Sequence, residues 1–128
     1  GYLKGKEYDK YRDEIEAIVH VADGRVTKIM LEFGMLTQDE KKKATELAIE
    51  AGITYVKNSS GWGKGGHATI DDIKLLHEIA GNRALVKASG GIRTKEQALA
   101  FINAGASLIG TSAGVAIMTD KSGEKGAY

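Results

Sequence analysis

The sequence runs to 128 residues, 42% of them hydrophobic and 27% charged, with a formal net charge of +1. A near-neutral domain of this size can bury roughly two-thirds of its unfolded surface, and it offers no long-range field for nucleic acid or an anionic membrane. With no cysteine in the chain, disulfides, thiolate metal sites and a cysteine nucleophile are excluded.

Hydrophobic periodicity sets out an alternation of helices and strands. "EYDKYRDEIEAIVHVA" (7–22) repeats apolar residues at Tyr11, Ile15, Ile18 and Val19 and predicts an amphipathic helix. "RVTKIMLEF" (25–33) predicts a first strand. Thr37, followed by Gln38, Asp39 and Glu40, has the form of an N-cap with an acidic first turn. It opens a helix to about Ala51 that stops at Gly52. "ITYVK" (53–57) is the second strand, and Thr69 caps a helix over "DDIKLLHEIA" that ends at Gly81. "RALVKA" (83–88) is the third strand, "TKEQALAFINA" (94–104) a helix, and "SLIGTS" (107–112) the fourth strand. Residues 1–118 read as one domain and 119–128 as a polar tail. No apolar run approaches the ~18 residues of a membrane span, and no signal-peptide pattern opens the chain, so a cytoplasmic protein is the expectation.

Strands alternating with helices imply βαβ units and a parallel α/β sheet. Four strands and a leading helix are the material for half of a (β/α)8 TIM barrel, which needs about 250 residues in full. A small open α/β sheet satisfies the same pattern. The seventeen glycines cluster in the loops after the strands, in a chain with no proline.

In such architectures ligands bind at the carboxyl ends of the strands. Lys57 ends the second strand and Lys87 lies at the end of the third, and neighbouring strands are ~4.8 Å apart. A like charge nearby, together with partial desolvation, disfavours an ammonium ion and lowers one lysine's pKa. A free amine at neutral pH can attack a carbonyl and form an imine that acts as an electron sink for C–C cleavage. Either lysine alone is more simply a strand-end residue keeping its charge in water. "SGGIRT" (89–94) and "GTSAG" (110–114) each follow a strand and open a helical turn. Backbone N–H groups there make an anion site to which Arg93 and Ser112 add a charge and a hydroxyl, and barrel phosphate sites recur in these loops. The combination points to a phosphorylated carbonyl substrate. Lys28 and Glu32 share a face of the first strand as a candidate supporting ion pair. His20, His67 and His77 have no metal-ligand spacing; only His67 lies in a loop near the site, beside the candidate covering loop "GWGKGGH" (61–67).

These segments resemble a known family. "YVKNSSGW", "VKASGGIRT" and "LIGTSAGVAIM", preceded by "KIMLEFGMLTQDEKKKATELAIEAG", are similar in order and separation to signature segments of deoxyribose-phosphate aldolase. The resemblance implies a (β/α)8 barrel that reversibly cleaves 2-deoxyribose 5-phosphate to acetaldehyde and glyceraldehyde 3-phosphate, with no metal or organic cofactor. It assigns the Schiff-base nucleophile to Lys57 and the pKa-lowering neighbour to Lys87. It assigns phosphate contacts to Gly61, Gly90, Gly91, Arg93, Gly110 and Ser112. Tyr128 matches a terminal tyrosine that shuttles a proton in some members. Ala113 and Asn58 depart from the family pattern, which has a second small hydroxyl residue and a threonine at those places. Gly1-Tyr2-Leu3 matches the segment after the family's fourth strand, so the sequence corresponds to the C-terminal half of the barrel, without the relay aspartate of the first half. A parallel half-barrel has two open edges, so a homodimer that closes eight strands is expected, with Glu32 of each chain offsetting the crowded lysines. The alternative is a catalytically silent half-barrel that binds sugar phosphates or only oligomerises.

Overall fold

A computed structural model describes residues 1–62 and 65–119. Its elements follow the expected alternation: α1 (Tyr8–Ala22), β1 (Lys28–Met30), α2 (Gln38–Glu50), β2 (Tyr55–Lys57), α3 (Ile70–Ala80), β3 (Leu85–Ser89), α4 (Lys95–Asn103), β4 (Leu108–Gly110) and α5 (Gly114–Met118). The four strands form one parallel sheet in the order β1-β2-β3-β4. This is half of a TIM barrel in architecture.

Three helix starts, those of α2, α3 and α4, are locally encoded. The Thr37 hydroxyl accepts the Glu40 N–H at 3.3 Å while the Glu40 carboxylate accepts the Thr37 N–H at 2.8 Å, so two otherwise orphaned donors are satisfied. Thr94 and Gln97 repeat the device at α4, and Thr69 accepts the Asp72 N–H at 3.1 Å at α3. Between α2 and α3 lies an ion pair, Lys41 to Asp72 at 2.7 Å, with both side chains mostly removed from water. The Lys41 ammonium also stands 5.3 Å from the centre of the Phe33 ring.

The sheet has two unlike faces because its side chains alternate. Val56, Val86 and Ala88 are buried against the helices with Ile73, Leu76, Ala44 and Ala48. The opposite face carries Tyr55, Lys57, Leu85 and Lys87, and no helix among the described residues covers it; Met30, on the same face, is 53% exposed. Among the described residues β1 and β4 each pair on one side only.

The first strand is shorter than the expected 25–33. It ends at Met30, and Glu32 takes a left-handed conformation (φ 52°, ψ 56°) that leads into a 3-10 turn over Phe33–Met35. The Leu31 N–H still donates to the Lys57 carbonyl and the Phe33 N–H to the Asn58 carbonyl, at 3.0 and 2.8 Å. The turn removes Glu32 from the alternation on which a shared face with Lys28 depended. Lys28 is exposed with its ammonium 5.4 Å from the Tyr55 ring centre, and the expected Lys28–Glu32 ion pair does not form. Residues 120–128, which hold most of the expected tail and Tyr128, lie outside the described residues. No helix among the described residues is long and apolar enough to cross a membrane.

Removing one member of a buried ion pair strands the other. Lys41→Ala is expected to lower the unfolding free energy by about 3 kcal/mol. The neighbouring surface change Lys42→Ala should cost less than about 0.5 kcal/mol; urea denaturation of both variants checks the contrast.

Candidate functional site

The parallel register makes Lys57 and Lys87 direct Cα partners on β2 and β3. Met30 on β1 partners Lys57 and Leu108 on β4 partners Lys87, so one row across the uncovered face reads Met30, Lys57, Lys87, Leu108. Both lysines line a cleft of about 480 Å³ above this row. Partial burial is the larger cause that lowers the Lys57 pKa from the ordinary lysine value, and the Lys87 charge adds to it; Glu32 acts weakly in the opposite sense. The cleft therefore holds an amine that loses its proton more readily than a surface lysine.

The chain beyond Lys57 is heavily hydrogen-bonded. Asn58 is 1% exposed. Its side-chain amide donates to the Ser89 carbonyl and its side-chain oxygen accepts the Ser89 N–H, both at 2.9 Å. The buried Ser59 hydroxyl accepts the Gly61 N–H at 2.9 Å. The Glu32 carboxylate accepts the Ser60 N–H at 2.5 Å. The left-handed backbone at Glu32 thus delivers a carboxylate to the loop that leaves the nucleophile candidate.

The glycine turns stand above the lysine row. Gly90 has φ +103°, and a Cβ there would run into the Gly66 carbonyl; the Ala68 N–H donates to the Gly90 carbonyl at 3.0 Å. Only glycine permits that approach. A Cβ on Gly110 would stand 3.0 Å from Lys87 Cε and 2.7 Å from Ser89 Oγ, so the missing side chain is the space across which Lys87 lies. Thr111 donates its hydroxyl to the Ile92 carbonyl at 2.5 Å and accepts the Ala113 N–H at 2.9 Å, joining the two turns.

Gly61, Gly90, Gly91, Arg93, Gly110 and Ser112 all line this cleft with the two lysines. The anion-binding role expected for the start of α4 needs one adjustment. The N–H groups of Arg93 and Thr94 both donate to the Gln97 side-chain oxygen, at 2.8 and 3.2 Å, so the capping box occupies them. The Gly90–Gly91 turn and the side chains of Arg93 and Ser112 line the cleft beside that capped helix start. His67 packs against Gly91 outside the lining, while His20 and His77 lie on α1 and α3. No group of three potential metal ligands occurs among the described residues.

Sequence reasoning passed over Ser60, Ser89 and Thr111, which also line the cleft. Ser89 carried a signal, since it stands two residues after Lys87 and a strand's period returns it to the same face. Trp62, in the 61–67 segment that reads more simply as loop filler than as a substrate cover, lines the cleft and is 66% exposed.

No family model matches the chain. It is 52% identical over 118 residues to the deoxyribose-phosphate aldolase of Streptococcus sanguinis, covering 92% of this chain and 53% of that protein. The deoxyribose-phosphate aldolases of Dictyoglomus turgidum and Thermococcus gammatolerans are 52% and 51% identical, with the same coverage. Among solved structures, an aldolase described as QR15 superposes with a TM-score of 0.86 at 38% identity, over 93% of this chain and 53% of its own. A putative deoxyribose-phosphate aldolase from Coccidioides immitis gives 0.88 at 36%, over 93% and 48%. The chain spans about half the length of the curated relatives it matches.

A lysine whose folded pKa lies below its unfolded value costs stability wherever it is charged in the unfolded state but discouraged from charging in the fold. Lys57→Met is therefore expected to raise the melting temperature at pH 7. The gain should shrink as pH rises towards the ordinary lysine value of 10.5, above which both states are neutral. Thermal melts at pH 7 and 10.5 check the sign.

Proposed function

We propose, for a chain related over nearly all its length to one half of the deoxyribose-phosphate aldolases, that the cleft is a class I aldolase site. Its substrate is 2-deoxyribose 5-phosphate, cleaved reversibly to acetaldehyde and glyceraldehyde 3-phosphate. The observation that carries the reading is the in-register pair Lys57 and Lys87 beneath the glycine turns.

The neutral Lys57 amine attacks the C1 aldehyde and, with loss of water, forms an imine. The protonated imine draws the electrons of the C2–C3 bond as it breaks, and the C3 hydroxyl gives up its proton as glyceraldehyde 3-phosphate forms. The enamine left on Lys57 is protonated at carbon and hydrolysed to acetaldehyde. Lys87 keeps the Lys57 amine available and, with Glu32, is the charged company in which protons are exchanged. The Gly90–Gly91 turn, Arg93 and Ser112 hold the phosphate, with Gly61 and Gly110 leaving room for it, and Tyr128 is assigned the terminal proton shuttle. The imine itself is the electron sink, so the reaction as written calls on no metal or organic cofactor. A cytoplasmic setting suits a phosphorylated substrate, whose charge keeps it from crossing membranes.

A homodimer completes this reading. A two-fold axis parallel to the strands would set β4 of one copy beside β1 of the other in parallel orientation, closing eight strands over the uncovered face. The exposed Met30, Leu85 and Leu108 would be buried by that closure.

Borohydride reduction with deoxyribose 5-phosphate, followed by intact mass and peptide mapping, is expected to place one adduct on Lys57 and none in Lys57→Met. Lys87→Met should slow trapping at neutral pH about tenfold for each unit by which Lys57 titrates higher. A folded protein that forms no adduct would instead be a silent, sugar-phosphate-binding half-barrel. Light scattering is expected to give twice the monomer mass, and a monomer would overturn the closure.

A further inference from the structure

The sheet ladder between β2 and β3 ends at the lysine pair, because Lys57↔Lys87 is its last rung. A final rung is where a ladder frays, and here it carries two like charges that favour separation. The main chain after Lys57 turns towards the β1 side, where the Asn58 carbonyl accepts the Phe33 N–H at 2.8 Å. The Asn58 side chain reaches the other way. It takes both the N–H and the carbonyl of Ser89, two residues past Lys87, at 2.9 Å each. An amide is the shortest neutral side chain with a separate donor and acceptor for such a two-point contact. The site is dry, since Asn58 is 1% and Ser89 7% exposed, so losing the contact leaves buried polar groups unpaired.

We propose that Asn58 is a positioning residue: its two bonds to Ser89 act as an added rung that holds Lys57 and Lys87 side by side in the cleft. The inference deepens the imine reading of Lys57 and rests on it for its functional meaning. The charged groups that bear on Lys57 are Lys87 from β3 and Glu32 from the turn after β1; Arg93 from the β3–α4 loop lines the same cleft, and Lys28 stands one row below over Tyr55. Glu32 is held on the Ser60 N–H and Arg93 lies beyond Ser89, whereas the Asn58 clamp joins the two lysine-bearing strands directly and so bears first on the Lys57–Lys87 spacing. When that spacing relaxes, the Lys57 ammonium is less opposed and the amine titrates higher.

The experiment is the pH dependence of reductive trapping with acetaldehyde in the wild type, Asn58→Ala and Asn58→Thr, with thermal melts to establish folding. The Lys57 titration is followed in parallel by NMR of carbon-13-labelled lysine. In a folded variant the midpoint for Lys57 is expected to move up, so that trapping at pH 7 falls, about tenfold for each unit of that movement, and recovers at alkaline pH. A structural role alone would lower the melting temperature and leave the midpoint in place, and that result overturns the assignment while the imine reading stands. If wild-type Lys57 forms no adduct, the imine reading falls, and the NMR midpoint alone decides whether Asn58 sets the lysine spacing. Loss of fold in both variants would make Asn58 a stability residue and also overturn the assignment.

Discussion

Two lysines on adjacent parallel strands meet in register, and almost everything distinctive about this molecule follows from keeping them there. Like charges at that spacing oppose one another, and a half-buried ammonium lacks part of its hydration. Lys57 carries both burdens, and the fold tolerates them because the surrounding backbone is strongly held. Val56 and Val86 anchor the opposite side of the same two strands in the helix-packed core. Displacing either lysine would mean moving a buried valine.

The loops above that row form one interlocked layer rather than independent turns. Gly34 and Gly65 approach so closely that neither could carry a side chain. Gly90 sits under Gly66, and Thr111 reaches across to Ile92. Glu32, in its left-handed conformation, spans from the end of β1 to Ser60. A non-glycine residue in that conformation costs of order 1 kcal/mol, and the carboxylate's bond to the Ser60 N–H is what the surroundings return. Near the lysines, the left-handed Glu32 and the close-packed glycines thus belong to one layer.

The sheet's two faces explain why the site is open. Helices α1 to α4 cover one face, leaving the row of Met30, Lys57, Lys87 and Leu108 on the other. In a half-barrel this apolar and basic face is the concave side on which the strands' carboxyl ends open. The solved aldolases that superpose on the chain do so over about half of their own length.

Much of this was legible in one dimension. The threonine caps at 37, 69 and 94, the helix period and the short apolar runs determined the order of elements, because each depends on neighbours within a turn or a strand. Lys57 and Lys87 stood out for the same reason: each closes an apolar run before a glycine-rich turn. What only the tertiary structure decided were relations between segments distant along the chain. The register that makes the lysines partners, the Asn58 clamp on Ser89 thirty-one positions away, and the burial that lowers the Lys57 pKa all depend on which strands pair and at what offset. Lys28 and Glu32 show the limit of periodicity. Two residues four apart share a face only while the strand continues, and β1 ends between them because the chain turns at Glu32 to meet the loop beyond Lys57.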